Sequence, residues 1–531
     1  MPPDVTRVRS GALNPRPRAA SSVFPTGVAP ACVRMTAHAA ARRFEPVTPP
    51  RDRLTALDAT FLELEEADES AHMHIGGLMV FEPAPELDDG TQAPAAPPVA
   101  DVCRHLESRL DHLPRFAERL STPRTGGLHW PRWERDPRFD VAAHMRRERL
   151  PAPGGRRELL DWAGEFYSER LDRTRPLWEM VVLEGLWGGR WGLATKTHHC
   201  MVDGVGSVDI GHLIMDTERR SADAGPGRDR TVPSPPQGTP ASSIAAGSRI
   251  VSAPLRLGAW ALGGARAALG AARHPGSALR SALAMGDVLV HDEVVAAPHT
   301  SLNDPIGGKR HLETCRISLE DVKSIKRSLG GTVNDVVLAA AAGGLRRLLL
   351  DRDEPLPEAG VRAMVPMNVR RSDEHNARGN RISSLFVNLP VAVADPLARY
   401  DATVEEAEAL KSGHQAEGSS AIIDLAAHAP PALHTFLARS LYATRLLNVT
   451  ITNVPGPQTP LYAFGSELEE IWPLVPLAAE HAVGLAVLSY DGQLFFCLNA
   501  DRATVPDAER FVVGVEESIA ELATNAAIRS G

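Results

Sequence analysis

The chain is short of most features that announce a compartment or a reaction. It has five cysteines (Cys32, Cys103, Cys200, Cys315 and Cys497), scattered and odd in number. That usage suits reduced thiols in a cytosol and excludes a disulfide framework. No uninterrupted apolar run reaches the about 18 residues that a spanning helix needs, so no transmembrane segment is expected. Positive charge is not in excess: 57 Lys and Arg stand against 66 Asp and Glu, and the net charge of -9 gives no electrostatic case for nucleic acid. The Gly-x-Ser-x-Gly elbow, the phosphate-binding Gly-x-x-x-x-Gly-Lys-Ser/Thr loop and the Gly-x-Gly-x-x-Gly fingerprint are all missing. Neither Cys-x-x-Cys nor His-Glu-x-x-His occurs, so no metal and no resident cofactor is expected.

What is present is a histidine pair followed by an Asp-Gly: His198-His199-Cys200-Met201-Val202-Asp203-Gly204. Imidazole alone has an unperturbed pKa, about 6.5, inside the physiological range. A base of that kind can take a proton from a hydroxyl or thiol, which typically contributes roughly 10²–10⁴-fold in rate. The flanks place the motif. Met180–Leu186 is a β-branched run, Trp187-Gly-Gly-Arg190 is turn chemistry, and Trp191–Thr197 returns as a second strand. Val205–Glu218 then carries Val205, Val208, Ile210, Leu213 and Ile214 at helical spacing. The motif therefore lies on a strand-to-helix loop, where catalytic groups often sit. Alternation along extended backbone directs the two histidines to opposite faces. On the residues alone, a packed core pair or two metal ligands are the competing readings. Cys200 reads as a small packing residue.

The length of 531 residues and the 43% hydrophobic fraction suit two well-packed domains. Residues 1–50 hold only two acids, Asp4 and Glu45, and read as a disordered basic extension. Domain one spans 51–220. It opens with a short helix at Leu57–Leu62 and a strand at His74–Phe81, followed by a helix at Val99–Leu110. His72 and His74 share one side of the strand, where strand packing is favoured over a metal or base role. Residues 221–299 combine a Pro/Gly/Ser-rich linker with a stretch free of acids from Arg230 to Gly286. Arg249 and Arg256 are seven apart, as are Arg266, Arg273 and Arg280, with Trp260 and several leucines between. A basic amphipathic helix on an anionic membrane surface is one reading, and helices packed on the fold the other.

Domain two spans 300–531. Ser318 caps a helix to Leu329, Gly330-Gly331 ends it, and Thr332 caps a very apolar helix. Asn334 and Asp335 sit in that helix's first turn, where buried polar groups need partners or a cavity. Val483–Tyr490, Asp491-Gly492 and Gln493–Asn499 form a hairpin, and Pro506-Asp507 starts a last amphipathic helix. Strands and helices alternate in both halves, which predicts an α/β fold of two sandwiches.

Several islands stand out along the chain: Leu57-Asp-Ala-Thr-Phe61, Met73-His-Ile-Gly-Gly77, Arg175-Pro-Leu-Trp-Glu179, the histidine motif, Asn334-Asp-Val-Val-Leu-Ala339, Gly379-Asn-Arg-Ile-Ser383, Asn453-Val-Pro-Gly-Pro457 and Ser489-Tyr-Asp-Gly492. Together, over about residues 54–526, they resemble the bacterial wax ester synthase/diacylglycerol acyltransferase family. The resemblance implies two chloramphenicol acetyltransferase-like domains with a tunnel between them. It implies transfer of a fatty acyl group from acyl-coenzyme A, as substrate, to diacylglycerol or a long-chain alcohol. That is triacylglycerol or wax ester synthesis, at the cytoplasmic face of a membrane or on lipid droplets. By the same carry-over His199 is the base, His198 orients the loop, and Asp203, with Gly204 beside it, holds the loop through an arginine. Pro176, Leu177 and Trp178 would wall the acyl or acceptor site. Asn334 and Asp335 would approach from the other domain, with Asn334 the candidate oxyanion donor. Two alternatives share the motif: a condensation-type acyltransferase using carrier-protein thioesters, and a noncatalytic lipid-binding protein of the same fold.

Overall fold

Two six-stranded sheets carry the molecule. In this computed structural model the described residues are 54–83, 96–110, 113–121, 130–201, 213–219, 297–368, 382–412 and 447–530. They belong to one compact unit, Pro49–Gly531. Asp203, Gly204 and most of the helix expected over Val205–Glu218 lie outside them, as do residues 1–50 and the basic stretch from Arg249 to Arg280.

The first sheet is built from β1 (His74–Phe81), β4 (Met145–Arg149), β5 (Trp178–Glu184), β6 (Trp191–His198), β11 (Tyr462–Ala463) and β12 (Ser466–Leu474), in the order β11-β12-β1-β6-β5-β4. A short ribbon of β2 (Glu118–Leu120) and β3 (Trp133–Arg135) stands apart from it. The β5–β6 hairpin turns where the sequence placed it, with Gly188 and Gly189 at φ 64° and 76°. Helices α1 (Ala56–Ala67), α2 (Val99–Glu107) and α3 (Arg156–Ser168) belong to this half. Helix α1 starts at a capping box: Thr55 Oγ1 accepts from Asp58 N (3.1 Å), and Asp58 Oδ2 accepts from Thr55 N (3.0 Å). It runs five residues beyond the expected end at Leu62, which brings Glu65 onto the helix.

The second sheet has the order β7-β14-β13-β10-β8-β9, from β7 (Arg310–Ser318), β8 (Val361–Asn368), β9 (Ile382–Leu389), β10 (Val449–Pro455), β13 (Val483–Tyr490) and β14 (Gln493–Asp501). Helices α4 (Leu319–Leu329), α5 (Val333–Asp351), α6 (Pro396–Ser412) and α7 (Ala508–Ser530) belong with it. Ser318 and Thr332 cap α4 and α5 as their spacing predicts. Helices α5 and α7 cross closely: a Cβ at Gly344 would meet the Phe511 carbonyl at 2.7 Å and Val515 Cγ2 at 2.8 Å.

The halves are not closed on themselves. Strand β12 comes from the chain's second half yet pairs with β1, Trp472 opposite Leu78. Helix α3 joins the halves: Ser168 Oγ accepts from Arg310 N of β7 at 2.8 Å, Glu165 meets Arg502, just past β14, at 2.7 Å, and Arg156 meets Glu470 of β12 at 2.7 Å. Arg310, only 1% exposed, donates to the carbonyls of Gly307 and Ser70, tying the second sheet to the loop that enters β1. Among the described residues no helix is long and apolar enough to cross a membrane.

Candidate active site

His198 is the last residue of β6 and His199 the first of a single 3₁₀ turn, His199–Met201. Backbone bonds fix both: His198 N donates to Leu177 O (2.9 Å) and His199 N to Met73 O (2.8 Å). The strand's alternation then separates the rings as expected. His198 is fully buried, whereas His199 remains part-exposed.

The His199 ring stacks on Phe61 of α1, centroids 3.8 Å apart and planes 22° from parallel. Its Nδ1 is enclosed and meets no hydrogen-bond partner. Burial pushes its pKa down to about 4, the opposing pull of backbone hydrogen bonding being smaller, so the ring is neutral at physiological pH. Neutral imidazole is the form that accepts a proton.

Behind His199 lies a charged cluster that the sequence reading did not contain. His74 and His198 are direct partners across β1 and β6, so their side chains share a face. Over that face α1 sets Glu65, 2% exposed. Glu65 Oε1 lies 3.5 Å from His74 Nε2, and Oε2 lies 3.4 Å from His198 Nε2. These are outer-range electrostatic contacts. Arg173 supplies the strong pairing, with Nε at 3.0 Å and NH2 at 2.5 Å from Oε2; a nitrogen of Arg170 stands 3.6 Å away. Burial by itself would raise the Glu65 carboxyl, but the facing imidazoles of His198 and His74 outweigh it and hold the group well below the usual carboxylate range. Burial keeps His74 neutral, down to about 3, against the pull of Glu65. His72 packs beside His74, ring centroids 5.7 Å apart. His74 of β1, and His72, which lies in the loop before the strand rather than on it, thus have neighbours inside the protein. Among the described residues no trio of His, Cys, Asp or Glu is arranged to hold a metal ion.

The remaining expected site residues fall in several places. Pro176 and Leu177 are buried, the latter at 0% exposure, and Trp178 at 1%. Trp178 donates its Nε1–H to Phe116 O (2.8 Å) and stacks on His144 at 4.4 Å. Leu177 and Trp178 pack within the first core, so packing already accounts for their apolar bulk. Asp335 closes the α5 capping box, its Oδ2 accepting from Thr332 N (2.9 Å) and Oγ1 (2.8 Å). That explains an acid at this spacing in an apolar helix. Asn334 Oδ1 accepts from Asn453 Nδ2 at 3.4 Å, which joins two islands that are 119 residues apart. Cys200 is buried and burial pushes its thiol well up, so it has no thiolate character near neutral pH.

Residues 54–337 match the family model of the wax ester synthase/diacylglycerol acyltransferase catalytic domain, and residues 378–523 that of the family's C-terminal domain. A probable diacylglycerol O-acyltransferase of Mycobacterium tuberculosis is 30% identical over 474 residues, covering 89% of this chain and 96% of the relative. A second from that organism is 31% identical over 476 residues, covering 89% and 98%. The solved wax ester synthase/diacylglycerol acyltransferase of Marinobacter aquaeolei superposes with a TM-score of 0.61 at 28% identity, covering 89% of this chain and 99% of that one. A starter condensation domain of rhizomide synthetase shares the fold, with a TM-score of 0.54 at 14% identity over 90% of this chain and 95% of that one. Sequence, fold and a buried-flank histidine motif agree: this chain is an acyltransferase and belongs to the wax ester synthase/diacylglycerol acyltransferase family.

Proposed function

We propose that the chain transfers a long-chain acyl group from acyl-coenzyme A to a hydroxyl of diacylglycerol, of a long-chain alcohol, or of both, with His199 as general base. The observation that carries this is the His199 ring, part-exposed, neutral and clamped beneath Phe61 at the end of β6. With Nδ1 enclosed, Nε2 is the nitrogen available to an acceptor. As the acceptor oxygen attacks the thioester carbon, Nε2 takes its proton. The C–O bond forms, the carbonyl becomes an oxyanion, and the C–S bond then breaks. The departing thiolate of coenzyme A receives the proton from the imidazolium. The thioester is already activated, and the alcohol needs only its proton removed at the moment of attack, so one placed base suffices. Asn334 is the candidate oxyanion donor: its Oδ1 is engaged by Asn453, which leaves its N–H₂ end for a ligand. A closed passage between the two halves would exclude water, which would otherwise hydrolyse the thioester. Asp203 and Gly204 would hold the loop after the histidines. The basic, Trp-bearing stretch from Arg249 to Arg280 supports peripheral attachment to an anionic membrane or lipid-droplet surface on the cytoplasmic side.

The assay offers labelled palmitoyl-coenzyme A with either diacylglycerol or hexadecanol and resolves the lipid products by thin-layer chromatography. Triacylglycerol, wax ester or both should appear, with stoichiometric release of coenzyme A thiol. Acyl-chain binding without thiol release would establish a noncatalytic lipid binder, and a strong preference for acyl carrier protein thioesters would establish the condensation-type reading.

The pH profile offers a second check. The His199 pKa is pushed down to about 4, so its base form persists as pH falls, and kcat/KM should stay level from pH 8 to about 5.5. A half-loss near 6.5 would mean that the acting imidazole is unperturbed.

A further inference from the structure

We propose that Glu65 and Phe61, one turn apart on α1, are positioning residues for the base, acting as a clamp that sets the His198–His199 turn. The inference rests on His199 being the base.

The two residues are four apart in a helix, so they share a face. That face packs against the turn His199–Met201. Phe61 covers the His199 ring, and Glu65 meets His198. The role of Glu65 follows from proton bookkeeping. His198 Nδ1 accepts the backbone N–H of Cys200 at 3.1 Å, so Nδ1 carries the lone pair and the ring proton sits on Nε2. Nε2 is buried, makes no hydrogen bond, and faces the Glu65 carboxylate at 3.4 Å, an electrostatic contact that favours the proton on Nε2. Glu65 therefore selects the one tautomer of His198 that can accept from Cys200 N–H and close the turn. Losing the carboxylate frees the imidazole to adopt the other tautomer, which presents N–H to N–H at Cys200 and opens the turn. The ring displaced as a consequence is that of His199.

The charge itself is held from outside the sheet. Arg173 and Arg170 neutralise Glu65, while His74 faces its second oxygen and Lys196, two residues along β6 from His198, pairs elsewhere. Lys196 Nζ donates to the carbonyls of Phe166 and Glu169, both at 3.0 Å, and lies 3.6 Å from the Glu179 carboxylate. The Glu65 carboxylate is thus aimed at His198 and His74, with its counter-charges fixed behind it.

The test measures kcat, KM, the thermal midpoint and the His198 tautomer (by ¹⁵N-histidine NMR) for Glu65→Ala, Glu65→Gln, Phe61→Leu and His199→Ala. A displacement near 1 Å at a reacting group can lower the rate about 100-fold, so Glu65→Ala should lose about that much in kcat with KM within about threefold. Glu65→Gln keeps an acceptor oxygen for Nε2–H and should recover at least about tenfold of the loss, with the Nε2–H tautomer restored. Phe61→Leu should lose about tenfold in kcat with the tautomer unchanged. If Glu65→Ala does not fold, Glu65→Gln and Phe61→Leu still decide. Folded Glu65→Ala with normal kcat, an unchanged tautomer in Glu65→Ala, Glu65→Gln no better than Glu65→Ala, or normal kcat in Phe61→Leu overturns the clamp. Activity in His199→Ala would instead overturn the assignment of the base, whatever the Glu65 variants do.

Discussion

His199→Ala should lower kcat by about 10³-fold or more while KM changes only a few-fold. A factor of 10³ corresponds to about 4 kcal/mol of transition-state stabilisation, within the range of a general base. The fold should survive. The backbone bond from His199 N to Met73 O does not involve the side chain, and the ring is part-exposed. What is lost structurally is the stack on Phe61, worth about 1 kcal/mol. Circular dichroism and a thermal melt check folding, and initial rates of coenzyme A release check turnover. His198→Ala is the contrast. That ring is fully buried and its Nδ1 accepts from Cys200, so its removal should lower stability as well as rate. Near-normal turnover in folded His199→Ala would remove this residue from the chemistry.

Arg173→Met should destabilise the protein by about 2–4 kcal/mol at pH 7.5. Removing one partner of a buried pair commonly costs about 3–5 kcal/mol. The lower figure allows for the partial exposure of Arg173 and for Arg170, which stands 3.6 Å from the same carboxylate. The cost should depend on pH in a stated direction. In the native protein the Glu65 carboxyl is depressed, so its contribution is present above the unfolded value near 4.5 and is lost as pH falls through the folded value. In Arg173→Met the guanidinium is gone while His74 and His198 still face the carboxyl, so its value moves up from the depressed one toward the unfolded value near 4.5. The variant then gains less stability than the native protein as pH rises toward that value, so the deficit grows up to about pH 5 and stays level above it. Urea midpoints at about pH 3.5 and pH 7.5 measure this, with the larger deficit expected at pH 7.5. A deficit independent of pH would show that Arg173 acts through packing alone. The exposed pair Arg104–Asp101, at 2.6 Å, serves as control: Arg104→Ala should cost under about 1 kcal/mol.

Some of this was readable before any coordinates, and for a common reason. The β1 strand, the β5–β6 hairpin, the Asp491-Gly492 turn and the caps at Ser318 and Thr332 depend on residues within a few positions of one another. Asp491 and Gly492 adopt φ of 42° and 74°, the conformation that an Asp-Gly turn requires. Other local signals have two causes that the sequence alone does not separate. The bulk of Leu177 and Trp178 packs in the core and Asp335 closes a capping box, whichever part they also take in the site. Helix α1 runs to Ala67 because the acids Glu63, Glu65 and Glu66 do not break a helix, and stopping it at Leu62 hid Glu65 from view.

By itself the sequence showed the alternation of strands and helices and a histidine pair at the end of a strand, and its islands carried the resemblance to the family. The first two follow from periodicity, turn chemistry and a short motif, all of them local. Tertiary structure decided what surrounds those histidines. Glu65 meets His198 across 133 positions of chain and Arg173 across 108, while β12 reaches β1 across nearly 400. Such pairings arise because a buried carboxylate must find counter-charges and an open sheet edge must find a strand, and neither demand marks its partner in the sequence.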